Sequence, residues 1–438
     1  MTEHNKLNIG IIGAGVAGMS AAWDFVNAGH RVTLFEAEPE VGGLAAGFRD
    51  PSWDWALEKF YHHWFETDQD MLDLIAEIGQ GDKVLFPRPK TSYWMDGKIT
   101  RSEISLSALF LPISPLAKLR LAFVGAYLKL VPNWKPLEKI TAHKWFTRYL
   151  GAEAYNKLFR PLLIGKFGER YQEVNMAWMW ARIYKRTLRL GTFQGGFQAF
   201  LNTLADAIRG RGAVIHLSTP VQGIGQQDGK PTITINGETH VFDKVISTAS
   251  PGFMLRAVEG LAATPYGQQI AGLSSIGAVC VVLALKESIL TDGTYWLNLP
   301  ANTPDKQASE FPFLALVEHT NWMDKTHYNG DVLVYCGDYI PADHAYFRLS
   351  ETELVDRFIG VLAKVNPDFR RDWVRAQWVF RAPYAQPVPG VNHSQHIPSI
   401  ETPFPGLYWA SMSQVYPWDR GTNYAVEIGR RAARLALR

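Results

Sequence analysis

The residues best placed to do chemistry stand near the N-terminus: Gly13-Ala14-Gly15-Val16-Ala17-Gly18, with Glu36 18 residues beyond the last glycine. The run follows an apolar, β-branched segment at residues 7–12 and opens a stretch of helical spacing over 14–27. Gly29 breaks that stretch, and a second apolar strand, 31–36, ends on Glu36. Strand, glycine turn, helix, strand and terminal carboxylate form the context in which such glycines bind a dinucleotide. Gly13 permits the tight turn, Gly15 lets the backbone approach a pyrophosphate, and Gly18 allows close packing of helix on strand. Unpaired N–H groups at the helix start attract phosphate, and Glu36 would accept hydrogen bonds from an adenosine ribose. NAD and FAD both fit these residues taken alone.

Other groupings are less specific. Glu58-Lys59-Phe60-Tyr61-His62-His63-Trp64-Phe65 sets two adjacent histidines in an aromatic run. Neighbours on an extended chain face opposite ways, so at most one of His62 and His63 faces a given ligand. Residues 158–190 carry Arg160, Lys166, Arg170, Arg182, Lys185, Arg186 and Arg189 against Glu169 and Glu173, with Tyr171, Trp178, Trp180 and Tyr184 among them. Such a segment either holds an acidic or phosphorylated substrate or forms a solvated helix face. In Tyr416-Pro417-Trp418-Asp419-Arg420-Gly421, Asp419 and Arg420 either orient substrate or bind each other. Tyr384, after Arg381-Ala382-Pro383, is a candidate for the same cavity and, like the histidines, for moving a proton. Within 106–131, Leu116, Leu119, Phe123, Tyr127 and Leu130 recur near helical spacing beside Lys118, Arg120 and Lys129. That amphipathic pattern suits either a membrane surface and a lipophilic substrate or a helix covering its own domain. His393-Ser394-Gln395-His396 has no accompanying carboxylate cluster and reads as a surface loop. Without a Gly-x-Ser-x-Gly elbow or a Walker loop, hydrolase and nucleoside-triphosphatase readings have no support.

The scaffold that must position these residues is 438 residues long, which favours two or three structural units. Hydrophobic residues make up 47%, charged residues 20%, and the net charge is +2, an ordinary globular balance that points to no nucleic-acid partner. Cys280 and Cys336 sit in apolar strand-like runs without Cys-x-x-Cys spacing, so no disulfide framework, zinc site or other metal is expected, and a reducing cytoplasm fits. From the polar N-terminus no cleaved leader is expected, and no apolar run approaches the roughly 18 residues of a spanning helix. The expectation is a soluble cytoplasmic protein, membrane-associated at most. Helix-like segments at 114–130 and 141–150 dominate 86–189; strand signals stand at 213–217, 232–236, 244–248, 278–285 and 332–336; 406–438 reads as strand, loop and helix. With no repeat or linker, the domains should be interleaved along the chain.

Glu36 is followed by Ala37-Glu38-Pro39-Glu40-Val41-Gly42-Gly43-Leu44, a glycine pair six residues past the acid. Here the sequence resembles the superfamily of FAD-dependent amine oxidases, protoporphyrinogen oxidases and phytoene desaturases. The resemblance implies that Gly42 and Gly43 run against the pyrophosphate and ribityl chain; Glu40 and Leu44 stand where many members carry arginine. Gly195-Gly196-Phe197, with 213–215 and Pro220-Val221, resembles the family's second cofactor-contacting stretch, in which the backbone of Val221 would meet the adenine edge. Residues 245–251 look like the strand leading back to the substrate domain. Residues 405–410, through Ser411 and Met412 to Tyr424-Ala425 and Gly429, resemble the C-terminal flavin motif, whose last helix would point its N-terminus at the flavin. Ser413 and Gly421 depart from amine oxidases, which usually place a carboxylate and a cage tyrosine there, and this speaks against an aromatic cage for a simple amine. The histidine loop also resembles that of flavin-dependent nucleotide-sugar mutases, where it lies beside the isoalloxazine.

The resemblance spans the chain discontinuously. It implies an α/β fold: a doubly wound, Rossmann-type FAD domain from 1–85, 190–265 and 396–438, interleaved with a mixed α+β substrate domain from 86–189 and 266–395. The implied activity is oxidation of a small-molecule substrate C–H, next to nitrogen or along an unsaturated chain, by hydride transfer to flavin N5, with oxygen or a quinone as acceptor. The alternatives are a redox-neutral enzyme resembling the mutases and a non-catalytic flavin-bearing interaction protein.

Overall fold

The computed structural model describes residues 6–101, 111–306 and 308–438. Residues 1–5 of the polar N-terminus and 106–110 of the amphipathic stretch lie outside them. Five short strands, Leu407–Trp409, Lys244–Ser247, Asn8–Ile12, Arg31–Phe35 and Val214–His216, lie side by side in that order, each pair parallel. Parallel neighbours need crossovers, and helix Val16–Asn27 supplies the first. Asn8–Ile12 is the central strand and is buried beyond its first residue, which is why it carries no polar side chain after Asn8.

Helices Val16–Asn27, Phe197–Gly210 and Thr422–Ala436 cover one face of this sheet over a core that includes Ile11, Met19, Leu34, Leu201 and Val426. The last helix approaches the first so closely that a Cβ at Gly429 would overlap the Ala17 carbonyl oxygen. The other face carries a three-stranded antiparallel sheet, Gly223–Gln227, Lys230–Ile235 and Glu238–Val241. It packs through Ile224, Ile233 and Phe242 on Ile12, Phe35 and Trp409.

A second sheet has seven strands in the order Val374–Pro387, Ser275–Leu285, Val332–Ile340, Ala315–Glu318, Trp296–Asn298, Thr91–Met95 and Lys98–Arg101. Ser275–Leu285 is buried on both sides. One side packs Val279, Val281 and Leu283 against helix Glu351–Ile359; the other packs Cys280 and Val282 beside Trp53, Leu57 and Tyr335. Cys280 pairs with Gly337, one register position from Cys336, and the two thiols fall in the cores on opposite faces of the sheet. Helices Pro115–Leu130, Ala142–Tyr149, Arg160–Phe167 and Met176–Lys185 form a separate helical layer over Leu128, Phe146, Leu163 and Trp178. Three of them keep polar N-caps, Ser114, Thr141 and Asn175, each accepting a backbone N–H from the first turn.

Strand Val374–Pro387 carries little apolar alternation. It is an edge strand, so its outward positions are polar and Pro383 removes no ladder bond. The stretch 393–396 is a correction to the surface-loop reading. His393 is buried against Tyr416, with ring centroids 5.1 Å apart, and Ser394 Oγ donates to Glu138 at 3.0 Å.

Candidate active site

The glycine turn is built as its spacing requires. Gly13 has a φ of +99°, and its N–H bonds the Phe35 carbonyl at 2.8 Å, tying the turn to the second strand. A Cβ at Gly18 would overlap the Gly13 carbonyl oxygen and sit 3.3 Å from Ile11 Cγ2. Helix Val16–Asn27 starts from Gly15 without a side-chain cap, so its first N–H groups are set to meet an anion. Gly42 lies against the same turn, its N–H donating to Ala14 O at 2.9 Å, with a φ of +126° that favours glycine. Glu36 is 9% exposed and accepts the N–H groups of Ala14 at 2.7 Å and Glu38 at 3.0 Å. Those bonds fix the carboxylate beside the turn and leave lone pairs for ribose hydroxyls. Val221 is half-buried at the edge of the core under the three-stranded sheet.

A second uncapped helix start faces this region. Thr422–Ala436 begins from Gly421 with no side-chain cap, and Tyr424 and Ala425 lie in its first turn. The Thr422 and Asn423 side chains are spent on Trp64 Nε1 at 2.9 Å and Met71 N–H at 3.0 Å. The glycines at closest approach, the seated carboxylate and two bare helix starts fit FAD. Gly13, Gly15, Gly42 and Gly43 would hold its pyrophosphate, Glu36 its ribose, and the turn before Tyr424 its ring end. Ser411 and Met412 lie in a tight turn: Ser411 Oγ accepts Ser413 N–H, and Ser411 N–H donates to Gln414 Oε1 at 2.8 Å.

Leu44, the residue after the glycine pair, forms part of the wall of a cavity lined also by Phe60, Tyr61, His62, Val279, Tyr339 and Arg420. Apolar strands from the seven-stranded sheet thus share a cavity wall with the residue that follows the glycine pair. His62 Nδ1 lies 2.6 Å from the Phe60 carbonyl, which can only accept, so Nδ1 is assigned the proton and Nε2 the lone pair. Burial, then the Arg420 charge, lowers the His62 pKa to about 4, leaving the ring neutral. His63 points elsewhere: its Nε2 bonds the Tyr295 hydroxyl, its ring meets Trp322, and burial lowers its pKa to about 3. Of the adjacent pair, His62 is on the cavity wall.

Tyr384 has a different task from the proton transfer expected of it. Its hydroxyl lies 2.7 Å from both Ser411 Oγ and Ser413 Oγ, and burial keeps it protonated, so it positions the 411–414 turn. Asp419 and Arg420 do not bind each other. Asp419 accepts Trp178 Nε1–H at 3.0 Å and Gln386 Nε2–H at 3.2 Å and pairs with Arg182. Burial alone would raise the Asp419 carboxyl, but Arg182, Lys166 and Arg420 hold it far below the usual carboxylate range. Arg420 donates to the Tyr339 hydroxyl, while its buried Nε–H meets no acceptor among the described residues.

Two residues of the site carry no sequence signal. Tyr339 joins the cavity wall to the helical layer, and only the fold brings Lys166 over its ring, with Nζ 4.1 Å from the centroid. Glu58, 4% exposed, accepts Phe197 N–H at 2.8 Å at the start of helix Phe197–Gly210, and burial pushes its pKa up to about 7.

Comparison with known proteins places these features. A family profile described as "Flavin containing amine oxidoreductase" matches residues 16–437. A protein described as "Probable zeta-carotene desaturase" from Synechococcus elongatus is 23% identical over 264 residues, 52% of this chain and 54% of its own length. The mitochondrial protoporphyrinogen oxidase of Nicotiana tabacum is 24% identical over 196 residues, 42% of this chain and 37% of its own. The matched stretches therefore span about half or less of those relatives. A reduced UDP-galactopyranose mutase has the same fold, with a TM-score of 0.75 at 17% identity, covering 98% of this chain and 95% of that one.

Proposed function

Because the chain belongs to the flavin-containing amine oxidoreductase family, we propose that it is an FAD-dependent oxidoreductase that oxidises a substrate C–H bond, beside nitrogen or along an unsaturated chain. The observation that carries this reading is the continuity of cradle and cavity through Leu44. Bound FAD supplies the two-electron acceptor for the substrate C–H. The chain's own part is to orient substrate and exclude water with Leu44, Phe60 and Val279, and to offer the neutral His62 Nε2 as a proton acceptor. Discontinuous FAD and substrate domains, with the boundaries given above, belong to the same reading.

The test is anaerobic mixing of the FAD-loaded protein with a panel of amines, porphyrinogens and polyenes. Bleaching of the flavin band by at least one compound is expected. A band that dithionite bleaches but no compound does would contradict the reading. Return of colour within seconds in air points to oxygen as acceptor; return over many minutes points to another acceptor, a quinone being tried first, or to mutase-like chemistry. The place of His62 on the cavity wall favours one alternative, redox-neutral mutase-like chemistry. Such an enzyme turns over only when prereduced and consumes no acceptor.

Peripheral membrane contact is the remaining part of the proposal. Helix Pro115–Leu130 exposes Leu116 (59%), Phe123 (70%) and Leu130 (76%), with Leu119 and Tyr127 between them. Exposed Arg120 lies one residue from Leu119 on the same helix, a pairing suited to an anionic bilayer surface. No helix among the described residues is long and apolar enough to cross a membrane.

A further inference from the structure

Lys166 lies on helix Arg160–Phe167 and is 8% exposed. Its ammonium stacks on the Tyr339 ring at 4.1 Å from the centroid and more distantly on Trp178 at 5.9 Å. No hydrogen bond or ion pair holds it among the described residues, and burial drives its pKa well below the lysine range. Arg420 approaches the same Tyr339 ring, with Cζ 5.3 Å from the centroid, and its Nε–H is buried without an acceptor. The carboxylate near these groups, Asp419, is already engaged by Arg182, Trp178 and Gln386. A lysine and an arginine thus share one aromatic ring at the cavity wall, and the Arg420 Nε–H meets no acceptor while Lys166 makes no hydrogen bond among the described residues. An aromatic face offsets part of the desolvation of a cation, but it satisfies no N–H donor. Such an arrangement is costly in an isolated protein and becomes favourable when an anion arrives.

We infer that Lys166 and Arg420, joined through the ring of Tyr339, form a receptor for one oxyanion, a carboxylate or a phosphate ester, carried by the substrate. The inference rests on the proposed oxidation in this cavity and narrows its substrate class to molecules with an apolar reacting part and an anionic end. Protonated diamines would meet repulsion here, and a pure hydrocarbon would leave the Arg420 Nε–H without an acceptor. The fork of Arg420 and the three donors of Lys166 suit oxygens on one atom better than a diffuse charge.

The experiment titrates the FAD-loaded protein by calorimetry with inorganic phosphate, benzoate and dodecyl phosphate, followed by the same titrations on Lys166→Met and Arg420→Gln. Saturable binding of at least one probe is expected, weakened at least tenfold in both variants. Benzoate would identify a carboxylate, phosphate a free phosphate group, and dodecyl phosphate alone a lipid-borne one. In anion-free buffer Lys166→Met should melt above wild type, because it removes a buried polar group that makes no hydrogen bond among the described residues, and phosphate should raise the melting temperature of wild type but not of the variant. Tyr339→Phe, which removes only the hydroxyl on Arg420, supplies a further variant that keeps the ring. Absence of saturable binding of all three probes to wild type, or equal affinity in the variants, overturns the inference. A chain that takes up no FAD refutes the functional reading itself, whereas one that takes up FAD and ignores every anion refutes only the receptor.

Discussion

Replacing Glu58 with glutamine should stabilise the protein, and more at alkaline than at acid pH. Glu58 is 4% exposed, accepts Phe197 N–H at 2.8 Å, and has no ion-pair partner among the described residues. Burial therefore favours its neutral form and lifts its pKa from 4.5 to about 7, although the Phe197 bond pulls the other way. Between those two values the folded protein keeps the proton that the unfolded chain has lost, so stability falls as pH rises through this window and levels off above it. With those two pKa values, linkage makes Glu58 cost about 1 kcal/mol at pH 5 and about 3 kcal/mol at pH 8. Glutamine does not titrate, and its amide oxygen can still accept the Phe197 N–H. The advantage of Glu58→Gln should therefore grow by about 2 kcal/mol between pH 5 and pH 8. Asp68 and Asp338, both raised to about 6, are common to the two proteins and cancel in the difference. Urea unfolding of both proteins at saturating FAD measures it. A difference that does not change with pH, or a variant less stable than wild type at pH 8, would show that Glu58 is ionised in the fold and refute the reasoning.

Three other outcomes follow from the same structure. Gly18→Ala places a Cβ on the Gly13 carbonyl and should lose FAD on gel filtration, read as loss of the visible flavin band while wild type retains it. Tyr384→Phe removes the hydroxyl shared by Ser411 and Ser413 and should cost about 1–3 kcal/mol in urea unfolding, since buried serine hydroxyls lose a partner. The pair Leu119→Ser and Phe123→Ser should cut co-sedimentation with anionic vesicles at least about tenfold, from two apolar side chains no longer inserted. Its melting temperature should match that of wild type, because both residues are exposed.

The cofactor half of the site was legible because its determinants are local. Gly13, Gly15, Gly18 and Glu36 lie within one β-α-β unit, where a positive φ at Gly13 and a close backbone approach at Gly18 require glycine and the Glu36 carboxylate accepts two backbone N–H groups. The Gly42-Gly43 pair was readable for the same reason, being six residues past the acid and docked on the same turn. The alternation that sets His62 toward the cavity and His63 toward Tyr295 also follows from chain geometry. The substrate half was not legible. Lys166, Tyr339 and Arg420 come from a helix, a sheet strand and a C-terminal loop, and no spacing in the sequence connects them. Tyr384 was read as a reacting group because a tyrosine near a cavity looks the same whether its hydroxyl is free or spent on two serines. Val374–Pro387 escaped notice because an edge strand needs neither strict alternation nor freedom from proline.

The central claim, that the glycine cradle and the Leu44 cavity together make a flavin oxidoreductase, is tested most directly by a single spectrum. The purified protein is incubated with FAD, freed of excess cofactor, and recorded before and after anaerobic addition of the substrate panel. The account predicts a retained flavin band that at least one amine, porphyrinogen or polyene bleaches. A protein that retains no flavin after reconstitution would contradict it.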